Sequence, residues 1–92
     1  STAVVVDQFE EQARDGGGIL KIYCSVLVER EGQKRIVVGR QGALIKKIGT
    51  EARRELEGLF ATKVYLDLHV RVRAGWRDDD QILGSLGITR TP

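Results

Sequence analysis

One cysteine in 92 residues, Cys24, leaves nothing for an internal disulfide and cannot supply half of a CxxC zinc site. Nothing therefore points to an oxidising compartment; the cytoplasm is the expected location, and Cys24 is expected as a small buried hydrophobe on a strand face. No apolar run approaches the ~20 residues of a membrane-spanning helix, and no secretory leader is expected. The chain has no G-x-x-x-x-G-K-[ST] loop, so it lacks the turn that cradles a nucleoside triphosphate. Its single histidine, His69, has no cysteine, serine or carboxylate constellation around it in sequence, and a solvent-facing strand histidine is expected. Asp78-Asp79-Asp80 lacks the spacing of a calcium loop and reads as helix-capping carboxylates. No catalytic residue, metal site or cofactor is expected. A formal charge of +2 is too small to argue for any partner.

The distribution of charge is more informative than its sum. Between residues 30 and 54, Arg30, Lys34, Arg35, Arg40, Lys46, Lys47, Arg53 and Arg54 stand against only Glu31 and Glu51, whereas Asp7, Glu10, Glu11 and Asp15 outnumber Arg14 at the start. The basic excess surrounds Gly39-Arg40-Gln41-Gly42, a G-x-x-G turn. Two glycines let a turn pass close to a phosphodiester chain, while Arg40 and Gln41 present a guanidinium and an amide to phosphate oxygens. Any chain with 11 glycines often places two of them three apart, so the setting carries the inference.

After the turn, Leu44, Ile45, Ile48, Ala52, Leu56, Leu59 and Phe60 recur at steps of three and four, which predicts an amphipathic helix over 43–60. Before it, residues 33–38 read as a short helix, although Ile36, Val37 and Val38 are β-branched and their propensity argues the other way. Residues 3–12 read as a strand, residues 15–18 as a turn and residues 19–30 as a second strand. The second strand carries Leu20, Ile22, Cys24, Val26 and Val28 on one face, with Lys21, Tyr23, Ser25 and Glu29 on the other. Glu31-Gly32 would close it. Residues 63–73 alternate most cleanly, with Val64, Leu66, Leu68, Val70 and Val72 inward. A turn at 75–77 and a short terminal helix ended by Gly87 complete the reading, with 1–87 as one domain and 88–92 as a tail. The order ββααβα, with two helices over one apolar sheet face, is a two-layer α+β domain.

None of the five aromatic residues (Phe9, Tyr23, Phe60, Tyr65, Trp76) flanks the glycine turn, so the stacked-ring floor of an RRM or OB-fold is not expected beside it. An aliphatic groove from Ile36, Val38 and Ile45, beside Arg35, Lys46 and Lys47, is the expected floor. Ile48 is assigned to the core, and Arg53 and Arg54 to a solvated helix face.

Two strands, a helix, G-x-x-G, a helix and a strand follow the layout of a type II KH domain. The string from Leu27 to Arg54 (LVEREGQKRIVVGRQGALIKKIGTEARR), with VYLDLHVRV at 64–72 and GWRDD at 75–79, resembles the carboxy-terminal domain of the bacterial Era GTPase family over nearly the whole chain. The resemblance implies a three-stranded mixed sheet with helices on one face. It also implies binding of single-stranded RNA at the 3′ end of small-subunit ribosomal RNA during ribosome assembly. RNA contact would fall on Arg35, Ile36, Val38, Gly39, Arg40, Gln41, Gly42, Ile45, Lys46 and Lys47. It further implies a GTPase domain in the same parent chain, with the small ribosomal subunit as partner and peripheral membrane association of the parent. The chain departs from the family in starting at a strand, without the fold's N-terminal helix, and in carrying His69 where relatives commonly have Trp. Two alternatives stay open: a KH module of another transcription or translation factor, and a KH-like protein-interaction module.

Overall fold

Alternation of apolar and polar residues pairs the first two strands into a long antiparallel hairpin. In the computed structural model, which describes residues 2–75, β1 (Ala3–Arg14) and β2 (Gly17–Val28) run from Ala3 opposite Leu27 to Arg14 opposite Gly17. A β-bulge between Val6 and Gln8 inserts Asp7. The bulge keeps Val4 and Val6 on the same face as Phe9, because one extra residue resets the two-residue alternation.

β2 then pairs in parallel with β3 (Lys63–Val72), giving the order β1-β2-β3. Parallel neighbours need a crossover, and the chain makes it through α1 (Glu31–Val38), a single 3₁₀ turn (Arg40–Gly42) and α2 (Ala43–Phe60). β2 ends at Val28, and Glu31-Gly32 opens α1 instead of closing the strand. Gln33 explains the early start: its side-chain oxygen accepts the backbone N–H groups of Glu29 at 2.9 Å and Arg30 at 3.0 Å, fixing the chain at the helix entrance. The β-branched run that disfavours α1 locally is overruled by packing, since Val37 and Val38 lie against Val26, Val28 and Val70. Val28 is fully buried, a burial that stabilises by about 1.5–3 kcal/mol.

The core is the helix-facing side of the sheet. Leu20, Ile22, Cys24 and Val64 pack with Leu56, Leu66 and Leu68 at one end, and the Val26 cluster takes Ile45 at the other. On the opposite face two residues are buried, one of which, Ser25, was expected outside. Leu27 lies under Ala3 and Val5 of the neighbouring strand. The Ser25 hydroxyl, 1% exposed, donates to Asp7 Oδ2 at 2.6 Å. The expected terminal helix, its capping aspartates and the tail lie outside the described residues. No described helix is long and apolar enough to cross a membrane.

Candidate functional site

The glycine turn sits where α1 must stop and α2 must start within four residues. The Gly39 N–H donates to Arg35 O at 2.9 Å, ending α1, and the Gly42 N–H returns to Gly39 O at 3.2 Å, closing the turn. Gly39 has φ 76° and ψ 177°, a region open essentially to glycine alone. Gln41 adopts left-handed geometry, φ 54° and ψ 27°, and Gly42 follows with φ 76°. The turn thereby projects Arg40 and Gln41, both exposed, at the tip between the two helices.

A depression opens on each side of this tip. One, of about 380 Å³, is lined by Glu31, Lys34, Arg35, Val38, Gly39 and Arg40. The other, of about 280 Å³, is a groove between α2 and β3, lined by Ile45, Lys46, Gly49, Thr50, Arg53, Leu66, Asp67 and Leu68. Of the ten residues expected at the site, Arg35, Val38, Gly39 and Arg40 line the first and Ile45 and Lys46 the second, with Gln41 and Gly42 between. Ile36, 72% exposed on α1, and Lys47, exposed on α2, line neither.

β3 is an edge of the sheet among the described strands, and this gives the groove its polar wall. The Val64 N–H, at the far end, is taken by Glu57 Oε2 at 3.0 Å, and Glu57 Oε1 in turn receives Arg53 Nη1 at 2.9 Å. By the two-residue repeat of a strand, the backbone groups of Leu66 and Leu68 point to the same side as those of Val64. The groove therefore offers apolar side chains together with edge N–H and C=O groups, a combination that can hold a flat ring and read its rim. Gly49 leaves the opposite wall low, and the Thr50 hydroxyl donates back to Lys46 O at 3.0 Å.

Gly49, Thr50, Leu66, Asp67 and Leu68 were not assigned to the site from sequence. The helix stripe Ile45, Lys46, Gly49, Thr50, Arg53 follows steps of three and four and was available as a signal. That β3 lies beside it was not, because strand order is a property of the whole fold.

The sheet register also brings Ser25 opposite His69, with Asp7 and Asp67 nearby. This is not a nucleophile and base: Ser25 donates to a carboxylate, and His69 Nε2 lies 3.7 Å from Asp67 Oδ2. Among the described residues no three His, Cys, Asp or Glu side chains gather in a way that could hold a metal ion.

Helix, G-x-x-G turn and helix laid across one face of a three-stranded sheet, with a groove against the last strand, define a KH domain. The KH-domain family profile matches residues 3–77, and the chain belongs to that family. In sequence it is 49% identical over 89 residues to GTPase Era of Geobacter metallireducens, covering 97% of this chain and 29% of that protein. It is 48% identical over 89 residues to GTPase Era of Yersinia pestis strain Pestoides F, covering 28% of that protein. Two solved structures are similar. One is Aquifex aeolicus Era bound to GDP·AlF4−, with a TM-score of 0.81 and 34% identity, matching 95% of this chain and 29% of that one. The other is Era in complex with MgGDPNP and nucleotides 1506–1542 of 16S ribosomal RNA, with a TM-score of 0.82 and 34% identity, matching 95% of this chain and 28% of that one. The chain thus spans under a third of the length of the relatives it matches.

Proposed function

We propose that this domain binds a short single-stranded segment of RNA, the 3′ end of small-subunit ribosomal RNA, as the RNA-binding part of an Era-like GTPase acting in ribosome assembly in the cytoplasm. The observation that carries this reading is the exposed Arg40-Gln41 tip, with a basic margin behind it and a groove beside it that ends on the β3 edge, unpaired with another strand among the described residues. In this reading the phosphodiester backbone runs over Gly39-Arg40-Gln41-Gly42, where the absence of Cβ atoms at two of four positions allows close approach. Arg35 and Lys46 flank that path, one in each depression.

Bases turned into the groove rest on Ile45, Leu66 and Leu68, and the edge amides of β3 meet their rims. A duplex hides those rims, so single strands are preferred. Arg53 contributes less charge than its position suggests, because Glu57 already holds it. The ribosomal assignment is supported by similarity to an Era solved with 16S ribosomal RNA, and the GTPase activity would belong to a part of the parent beyond this chain.

The test is the double substitution Arg40→Asp, Gln41→Asp. Aspartate tolerates the left-handed geometry of position 41, so the thermal transition is expected to stay while RNA binding is lost through repulsion of phosphate. Retained binding sinks the clamp. Competition by a duplex as strong as by the single strand sinks the KH mechanism, and equal competition by scrambled oligomers sinks only the ribosomal assignment.

A further inference from the structure

The solvent face of the sheet holds the one aromatic pair of the described residues. Tyr23 on β2 and Tyr65 on β3 are 42 positions apart in sequence, yet their ring centroids are 5.9 Å apart with planes tilted by 59°. Tyr65 remains 48% exposed. Lys21 stands directly opposite Tyr65 in the β2–β3 register. Lys63, two residues before Tyr65, shares its face by strand alternation.

Tyr65 follows the groove directly in the chain: Leu66 lines the groove on one side of edge strand β3, and Tyr65 projects from the other. A strand leaving the groove at Leu66 therefore has only the β3 edge to cross. From Leu68 to Tyr65 is about 10 Å along the strand, at ~3.3 Å per residue.

We propose that Tyr65 forms a second, base-stacking site for single-stranded RNA on this face, with Lys21 and Lys63 meeting the adjoining phosphate. The site takes the first unpaired nucleotide that passes beyond the groove, and it rests on the RNA-binding reading above. Tyrosine stacks any base, since every base has a π-face, and two ammonium groups beside it complement a phosphate. The carboxylates on the same face leave the two ammonium groups in excess around Tyr65. Glu10 is on β1, beyond Lys21 when entered from the β3 edge; Asp67, two residues from Tyr65 and itself on the groove wall, is the one carboxylate the strand passes, and Lys21 and Lys63 outnumber it. The Tyr23 ring buttresses Tyr65 and needs no contact of its own with RNA.

The experiment uses the ribosomal 3′-terminal sequence as a four-nucleotide RNA and as versions extended by one to four nucleotides at either end, with 2-aminopurine at the added positions. Extension at one end is expected to raise affinity for the parent and to quench the probe. Tyr65→Ala should leave the four-mer unchanged and remove the gain from extension, about tenfold for one stacked base. Tyr65→Phe should keep both gain and quenching, because stacking does not need the hydroxyl. Lys63→Glu, at an exposed position, should lower affinity for extended oligomers only. Equal binding of extended RNA by parent and Tyr65→Ala overturns the proposal and leaves the clamp standing, as does a parallel loss on the four-mer. Absence of RNA binding by the parent overturns the clamp and this site together.

Discussion

Gly39 and Leu44 are so close that a Cβ built on the glycine would lie 2.7 Å from Leu44 Cβ and 3.0 Å from its backbone nitrogen. The neighbour is the first turn of α2, which has no flexible tip to move aside. Gly39→Ala is therefore expected to cost about 2–4 kcal/mol, from a glycine-only backbone conformation plus overpacking. Gly42 has the same φ but nothing within 4 Å of its would-be Cβ, so Gly42→Ala should cost only about 1–2 kcal/mol. Urea unfolding of the two variants checks the order. If they are equally stable, the first glycine is not a packing glycine.

Asp7 and Ser25 make a second, asymmetric pair. Ser25 is buried and Asp7 half exposed. Removing the acid strands a buried hydroxyl, while removing the hydroxyl leaves a carboxylate that water can reach. Asp7→Ala should cost about 1–3 kcal/mol, and Ser25→Ala clearly less. The double variant should recover part of the loss. A double variant as unstable as the sum of the singles would show that the two side chains are not energetically coupled, so that the Ser25–Asp7 pair does not set the energy.

These particulars separate what local pattern reveals from what it hides. The alternation of β2 and β3 was legible because each strand buries one face, and burial imposes a period. The α2 stripe gave the helix, but Ile45 and Leu56 alone of it pack on the core clusters, while Leu44, Leu59, Phe60 and also Ile48, assigned to the core from sequence, are exposed. The glycine turn was legible from its two glycines and its basic margin. The Asp7 bulge was not, since one inserted residue in a β-branched run changes nothing visible in composition. Nor was the start of α1, which depends on the Gln33 side chain reaching back to Glu29 and Arg30. Leu66, Asp67 and Leu68 of the groove and the Tyr65 ring of the aromatic pair come from β3, and only the parallel pairing with β2 brings that strand to its place.

Cys24 gives a pH-dependent handle on the core. It is buried, and loss of solvent pushes its thiol pKa up, with the carboxylates of Asp7 and Asp67 adding to the rise. The unfolded thiol ionises near ~8.5, so above that pH the folded state holds a proton that the unfolded state has released. Stability from this group is full below ~8.5 and falls as pH rises towards the folded value. Tyr23 is shifted the same way, by desolvation and then by Glu10, Tyr65 and Asp67, but its window opens only near ~10. Urea midpoints between pH 8 and 9.5 should decline for the parent and flatten for Cys24→Ala. An identical decline in both would assign the effect elsewhere.

Gly49 allows stability and binding to be moved in opposite directions. It lies inside α2, lines the groove opposite Leu66 and Leu68, and a Cβ there meets nothing within 4 Å. Glycine in a helix interior costs about 0.8–1.0 kcal/mol relative to alanine, so Gly49→Ala should raise the thermal midpoint. Gly49→Leu should also fold, since the side chain enters open space, but that space is where bases are expected to rest. RNA affinity should then fall at least about tenfold, while the dependence of residual binding on salt stays at ~0.7 per neutralised phosphate, because no cation has changed. Gly58 supplies the control: it is exposed near the end of α2, equally uncrowded and outside the groove. Gly58→Leu should match the stability gain and leave binding alone. If Gly49→Leu binds RNA as the parent does, the bases do not enter between α2 and β3, and the phosphate clamp would have to act without that floor.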